Sequence, residues 1–272
     1  MSQINLPQIE IDNLIKLFTK GRIQEVIDKI QLLNTNYPNI PLLFNILGVC
    51  HKKLGDLALA SQMFERAISL KPDYAEAYYN LGTTLKHHGK LKNAVINFKK
   101  AIALLPDYPD AYNNLGNTLD ELGQKKDAIK CYESLIAIRP DYAEGHYNLG
   151  TVLKKLGEFE EAKKSFKAAL KIKPNYSEAK HLLNGLIGYT SKAPPREYVE
   201  NLFNGFAGRF NDTLINKLEY KLPSIVNNII PKLNSDKKTF DRVIDLGCGT
   251  GLSGIGLKGF SGNLTGIDLS EN

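Results

Sequence analysis

The chain has 272 residues, 35 Lys and Arg against 29 Asp and Glu for a net charge of +6, 43% hydrophobic residues and no Trp. That excludes a disordered or collagenous chain and predicts a soluble protein of one or two domains, since domains commonly hold about 100–200 residues. Residues 1–176 and 177–272 share the basic excess, so no nucleic-acid face is expected.

The same reading bears on compartment. No stretch reaches the roughly 18 apolar residues of a membrane-spanning helix, and Met1-Ser2-Gln3-Ile4-Asn5 lacks the basic and apolar parts of a secretory signal. Cys50, Cys131 and Cys248 show no CxxC spacing, which argues against a disulfide framework or a zinc site. A cytoplasmic protein with no membrane partner and no metal is the expectation.

In chain order the first signal is a step of 34 residues. It carries Gly48, Gly82, Gly116 and Gly150; Pro38, Pro72, Pro106, Pro140 and Pro174; and Gly21, Gly55, Gly89, Gly123 and Gly157. Ala60, Ala94, Ala128 and Ala162 keep the same step, as do Phe64, Phe98, Tyr132 and Phe166. Each unit reads as two helices. Tyr78, Leu81, Leu85 and His88 share a face of the first, Gly89 ends it, and Ala94, Phe98, Ala101 and Ile102 form the buried stripe of the second. Gly82 and Ala94 lack bulk where the two backbones are expected to approach, and Pro106 stops the second helix. A single hairpin cannot bury its own apolar face, so neighbours must stack.

These columns resemble the tetratricopeptide repeat (TPR). The expected fold is mainly α: a right-handed superhelix of five hairpins over 7–176 (7–40, 41–74, 75–108, 109–142 and 143–176), closed by a capping helix over 177–189. The first unit departs from the pattern, with Leu14 for Gly and Val26 for Ala, as terminal repeats often do. In the fourth, Leu135 stands where Ala67, Ala101 and Ala169 are small, which predicts a local repacking.

The resemblance implies that the first helices line a concave groove. Its lining would include Glu76, Tyr79, Asn80, Thr83, Lys86 and His87; then Asp110, Asn113, Asn114, Asn117, Asp120 and Glu121; then Glu144, Tyr147, Asn148, Thr151, Lys154 and Lys155. Asn80, Asn114 and Asn148 form a ladder similar to the asparagine ladder in the TPR part of O-linked N-acetylglucosamine transferases. An amide both donates and accepts, so such a row can pair with the backbone of an extended protein or peptide ligand. The alternative is that these Asn residues pack between helices. The groove lacks the Lys and Asn set that clamps a C-terminal carboxylate in chaperone-binding TPRs, so an internal or extended ligand is expected.

Thr-Ser-Lys-Ala-Pro-Pro-Arg over 190–196 breaks the step and reads as a linker. An aromatic-rich helical stretch comes next, Tyr198 to Phe210 and Leu214 to Ile230. Two β-branched runs, Phe240 to Asp245 and Leu264 to Asp268, then bracket Leu246-Gly247-Cys248-Gly249-Thr250-Gly251. A strand, a glycine loop, a helix and a strand ending in an acid begin a nucleotide-binding α/β unit. The glycines let backbone amides approach the ligand, and the acid can accept from ribose hydroxyls.

Gly249-x-Gly251-x-x-Gly254 also meets the NAD fingerprint. Asp245 weighs against NAD, because a carboxylate ahead of the loop suits a cationic amino-acid group better than a pyrophosphate. Asp245-Leu-Gly-Cys-Gly-Thr-Gly251 resembles motif I of class I S-adenosylmethionine (SAM) methyltransferases, which implies cofactor contacts at Asp245, Gly247, Cys248, Gly249, Gly251 and Asp268. Cys248 then serves as a small loop residue rather than a nucleophile. Tyr198-Val-Glu, Phe206-Ala-x-Arg-Phe and Leu218-x-Tyr220-x-x-Pro223 resemble the leader helices of predicted bacterial methyltransferases with N-terminal TPRs. Residues 197–272 would be leader helices and an incomplete Rossmann-like start.

Only two strands can be placed before Asn272, against the seven or so of such enzymes, so the chain is expected to be a fragment with weak or absent SAM binding, no turnover and no identifiable catalytic residue. Two functions stay open: a TPR-containing SAM-dependent methyltransferase, or a non-catalytic TPR scaffold with a vestigial nucleotide-binding tail.

Overall fold

The structure, a computed structural model, describes residues 6–189 and the backbone of 240–246 and 261–267. Two compact units divide the chain, 1–179 and 180–272. The first holds ten helices that pair in order: α1 (Gln8–Thr19) with α2 (Ile23–Asn36), α3 (Pro41–Lys53) with α4 (Leu57–Leu70), α5 (Ala75–His87) with α6 (Leu91–Leu104), α7 (Pro109–Glu121) with α8 (Lys125–Ile138), and α9 (Ala143–Lys155) with α10 (Phe159–Ile172). Each hairpin packs on the next through its second helix, and α3, α5, α7 and α9 also touch in sequence. An eleventh helix, α11 (Ser177–Leu186), is shorter than the cap expected to Tyr189; Gly188 beyond it has φ 77°.

Glycine ends the first helix of every hairpin. Gly89 adopts φ +74°, donating its N–H to the Lys86 carbonyl at 3.0 Å while Lys90 N–H reaches Leu85 O at 2.9 Å. A left-handed residue there turns the chain and satisfies carbonyls that the helix leaves open, with no Cβ penalty.

The close approach inside each hairpin has a particular filling. Sequence spacing set Gly82 beside Ala94, but the space over Gly82 is occupied by a ring: a Cβ built there would lie 2.7 Å from Phe98 Cε1. Gly48, Gly116 and Gly150 meet Phe64, Tyr132 and Phe166 in the same way, and all four rings are buried. In the first hairpin the volumes are exchanged, Leu14 taking the glycine position and Ile30 the ring position, both buried. Leu135 is accommodated by its neighbour in the next hairpin. A Cβ on Gly145 would stand 2.7 Å from Leu135 Cδ2, and Gly145 holds the place that Ala77, Ala111 and Ala179 hold elsewhere.

In the second unit, β1 (Phe240–Leu246) and β2 (Ser261–Ile267) pair in parallel, with Asp245 opposite Gly266 and Leu246 opposite Ile267. The linker 190–196, the expected leader stretch and the glycine loop lie outside the described residues. Among the described residues, no helix is long and apolar enough to cross a membrane.

Candidate functional site

The surface shared by α3, α5, α7 and α9 carries a row of polar clusters, each joining one hairpin to the next. Its ladder amides are tied to the preceding hairpin. Asn80 Nδ2 donates to Asn45 Oδ1 at 3.0 Å, Asn148 Nδ2 donates to Asn113 Oδ1 at 2.9 Å, and Asn114 Nδ2 donates to the Tyr79 hydroxyl at 3.1 Å and to the Asp110 carbonyl at 3.0 Å. Each cross-hairpin bond spans 35 residues, one more than the repeat, so every ladder residue reaches the one just ahead of its predecessor's equivalent. Asn114 thus has both amide N–H groups engaged, and Asn80 and Asn148 one of two.

Around that ladder two arrangements alternate. Asn45 Nδ2 donates to Glu76 Oε1 and to the Tyr74 hydroxyl, both at 3.3 Å, and Asn113 Nδ2 donates to Glu144 Oε1 at 3.0 Å. In the intervening hairpins a tyrosine takes the Asn place. Tyr79 lies against Tyr108 with ring centroids 5.0 Å apart at 37°, and Tyr147 lies against Tyr176 at 5.0 Å and 36°. Each also faces the ring of its own second helix, Phe98 or Phe166, at 6.0 Å. The polar lining therefore repeats at twice the step of the fold.

The two edges of the surface differ in charge. Glu76, Asp110 and Glu144 sit in the first turns of α5, α7 and α9, the placement the helix dipole favours, while the far edge is mixed, Lys86 and His87 ending α5, Asp120 and Glu121 ending α7, and Lys154 and Lys155 ending α9. The acidic edge is held by neutral donors: Asn45 on Glu76, Asn113 on Glu144, and the Tyr142 hydroxyl on Asp110 at 3.2 Å. The ion pairs among the described residues involve other carboxylates, such as Lys155 with Asp120 at 2.5 Å.

Burial, with Glu76 adding to it, pushes the Tyr74 hydroxyl up to about 12. Burial, then Glu144 and Asp110, does the same for Tyr142, to about 12. Tyr108 and Tyr176 are raised further, by burial first and then by the partner tyrosine and nearby carboxylates. On the opposite edge, Lys52 donates to Thr83 Oγ1 at 2.7 Å, and burial lowers its pKa.

The structure thus ties Asn80, Asn114 and Asn148 each to the preceding hairpin, by three separate bonds along one surface. Asn117 is placed beside it, its Oδ1 accepting from the buried Tyr132 hydroxyl at 2.7 Å. Lys86 is half-buried at the far, mixed-charge edge and Lys154 is exposed there. Asp245 lies in β1; Gly247, Cys248, Gly249, Gly251 and Asp268 fall outside the described residues. Cys50 and Cys131 lie in α3 and α8, and burial raises both thiols to about 11, the values of unreactive groups.

Sequence reasoning missed Asn45 and the row Tyr74, Tyr108, Tyr142 and Tyr176, together with the doubled period. The signal was present. Ala75-Glu-Ala-Tyr-Tyr-Asn-Leu-Gly-Thr-Thr-Leu-Lys86 recurs as 143–154 with changes only at Gly145, His146 and Val152, whereas 109–120 is less similar to either.

Comparison with known proteins agrees with this architecture. The family described as TPR repeat matches 51–89, 85–123 and 116–157, and the family described as Tetratricopeptide repeat matches 143–176. A crystal structure of MamA protein is similar, at 30% identity over 64% of this chain and 94% of that one, with a TM-score of 0.56. MamA from Desulfovibrio magneticus RS-1 shares the fold at 20% identity, covering 62% and 96% of the two chains with a TM-score of 0.57. So does YrrB, described as a TPR protein with an unusual peptide-binding site, at 20% identity over 68% and 94% with a TM-score of 0.53. Comparison with curated proteins finds no match. Stacked helix pairs, the 34-residue step, the family matches and the likeness to MamA lead to one conclusion: the chain belongs to the tetratricopeptide-repeat proteins.

Proposed function

We propose that the chain is an interaction protein whose groove, formed by α3, α5, α7 and α9, binds an extended segment of a protein partner. The observation that carries this reading is the row of cross-hairpin amide bonds along that surface. Each Asn donates across hairpins, which fixes the side chain in advance and lowers the ordering cost of binding, while the Oδ1 atoms of Asn80, Asn114 and Asn148 serve as acceptors, and the second N–H of Asn80 and Asn148 as donors, for the backbone of the partner. YrrB, similar in fold, is described as having a peptide-binding site.

The test is selection of binders from a displayed peptide library on the full chain, then affinity measurement on a variant with Asn80, Asn114 and Asn148 all changed to Ala. Loss of about ten-fold or more in affinity, at roughly 1 kcal/mol per hydrogen bond, is expected. Unchanged binding by a folded triple variant contradicts the reading.

A second reading concerns the C-terminal segment: it begins a SAM-dependent methyltransferase site, with Asp245, Gly247, Cys248, Gly249, Gly251 and Asp268 meeting the cofactor and the groove recruiting the substrate protein. What favours it is the parallel pairing of β1 and β2. Parallel neighbours need a crossover of about a dozen residues or more, and the stretch 247–260 between the strands is long enough for one. Ligand-observed NMR with SAM and with NAD, which registers weak binding, tests it. A SAM signal that disappears on Asp268→Asn supports this reading; a signal from NAD alone, or from neither, contradicts it.

A further inference from the structure

The doubled period of the groove distinguishes two stations that share an acid and a tyrosine pair and differ in one neighbour, Lys173 Nζ lying 4.7 Å over the Tyr176 ring where Leu105 holds the equivalent place at the first. At the first, Glu76 lies within electrostatic reach of Tyr108, which is tilted against Tyr79; at the second, Glu144 lies within reach of Tyr176, which is tilted against Tyr147. Their geometry agrees closely, with ring separations of 5.0 Å in both. The carboxylate of each is steadied by an asparagine of the preceding hairpin, Asn45 at 3.3 Å or Asn113 at 3.0 Å.

The helix dipole accounts for an acid in each first turn. It does not account for the alternation, since Asp110 in α7 enjoys the same dipole and yet that hairpin carries Asn113 in place of the stacked tyrosine. Neither Glu76 nor Glu144 is in an ion pair among the described residues; each accepts from an asparagine amide and lies in the first turn of its helix. A guanidinium is the group that satisfies such a station. Its planar fork donates two hydrogen bonds to a carboxylate while its face stacks on an aromatic ring, which an ammonium cannot do.

We propose that the groove recognises an extended partner segment carrying arginine at two places, one read by Glu76 with Tyr79 and Tyr108, the other by Glu144 with Tyr147 and Tyr176. This rests on the peptide-groove reading above and adds the partner's chemistry and its two-fold register. The net charge of the whole chain, +6, repels a cationic peptide, so affinity for one reports the local edge rather than general attraction.

The probe is a fluorescently labelled peptide of Gly-Ser-Arg repeats, compared by anisotropy with the same peptide in which citrulline replaces every arginine, keeping shape and losing charge. The full chain is titrated with each, as wild type, E76Q, E144Q and E76Q/E144Q; glutamine retains the acceptor that Asn45 or Asn113 needs, and matching thermal melts establish folding. The expected result is binding of the arginine peptide alone, weakened about three- to five-fold by either single variant and by roughly the product in the double.

Equal binding of the two peptides, indifference to E76Q/E144Q, or an effect of only one station overturns the proposal. An arginine peptide that fails to bind while library-selected peptides bind the groove overturns it too and leaves the groove reading standing. Failure of both kinds of peptide removes the groove reading with it.

Discussion

The first hairpin and the four after it meet the same backbone geometry by opposite choices. In α1 and α2 the bulk lies on the first helix, Leu14, with Ile30 across from it; in the later hairpins the first helix is bare, Gly48, Gly82, Gly116 or Gly150, and an aromatic ring from the second helix fills the gap. Both solutions bury their side chains, so packing alone does not require the glycine. What the later hairpins have and the first lacks is the amide and tyrosine network on the concave side, which begins at Asn45. The fold repeats every 34 residues and the polar lining at twice that step; the two periods are separable.

Substitutions that break the packing should separate the two kinds of hairpin most sharply. Phe98→Ala removes a buried ring over a glycine that cannot fill the space, and is expected to cost about 3–5 kcal/mol, against the low end of about 2–5 for the like truncation Ile30→Ala, where Leu14 opposite can close part of the gap; denaturant melts measure both. Leu135→Ala should lose about 2–4 kcal/mol. Adding Gly145→Ala should recover part of the loss, because it restores the Ala and Ala pairing of the other hairpins and removes a helical glycine worth about 1 kcal/mol. Gly145→Ala alone should destabilise, its Cβ falling 2.7 Å from Leu135 Cδ2. A double-mutant cycle without coupling would refute that account. Gly116→Ala, with Tyr132 Cε1 2.6 Å from the new Cβ, should cost about 1–3 kcal/mol. It should also shift the Tyr132 hydroxyl from Asn117, visible in the tyrosine absorbance.

The smallest expected effect is that of pH. Cys50 and Cys131 at about 11, and Tyr74 and Tyr142 at about 12, all raised first by burial, lie beyond the first hairpin. The unfolded chain releases these protons earlier, near about 8.5 for a thiol and about 10 for a phenol. Their contribution is therefore complete below about pH 8 and declines as pH rises toward the folded values. Hairpin-resolved hydrogen exchange should show α3 to α10 loosening above that point before α1 and α2; the reverse order would contradict it.

The repeat, its helix boundaries and the odd packing at Leu135 were legible because each rests on local residues at a fixed step: glycine where φ turns positive, Ala and aromatic residues where helices touch. What occupies the space over Gly82 was not, since Ala94 and Phe98 are one turn apart and only the crossing of the helices decides which meets the glycine. The ladder was legible as a row, but its engagement with Asn45, Tyr79 and Asn113 was not, because a bond across 35 residues depends on how far one hairpin is rotated on the next. The stacked tyrosines escaped notice for a related reason. Tyr108 and Tyr176 end one repeat and act on the groove of the helix before it, so a reading confined to first-helix positions passes over them.

The most direct test of the account is backbone NMR shift mapping of a selected peptide on the labelled full chain. The account predicts perturbations along α3, α5, α7 and α9, strongest near Asn80, Asn114 and Asn148, with α4, α6, α8 and α10 little changed. Perturbations centred on those second helices, or none along the ladder, would contradict it.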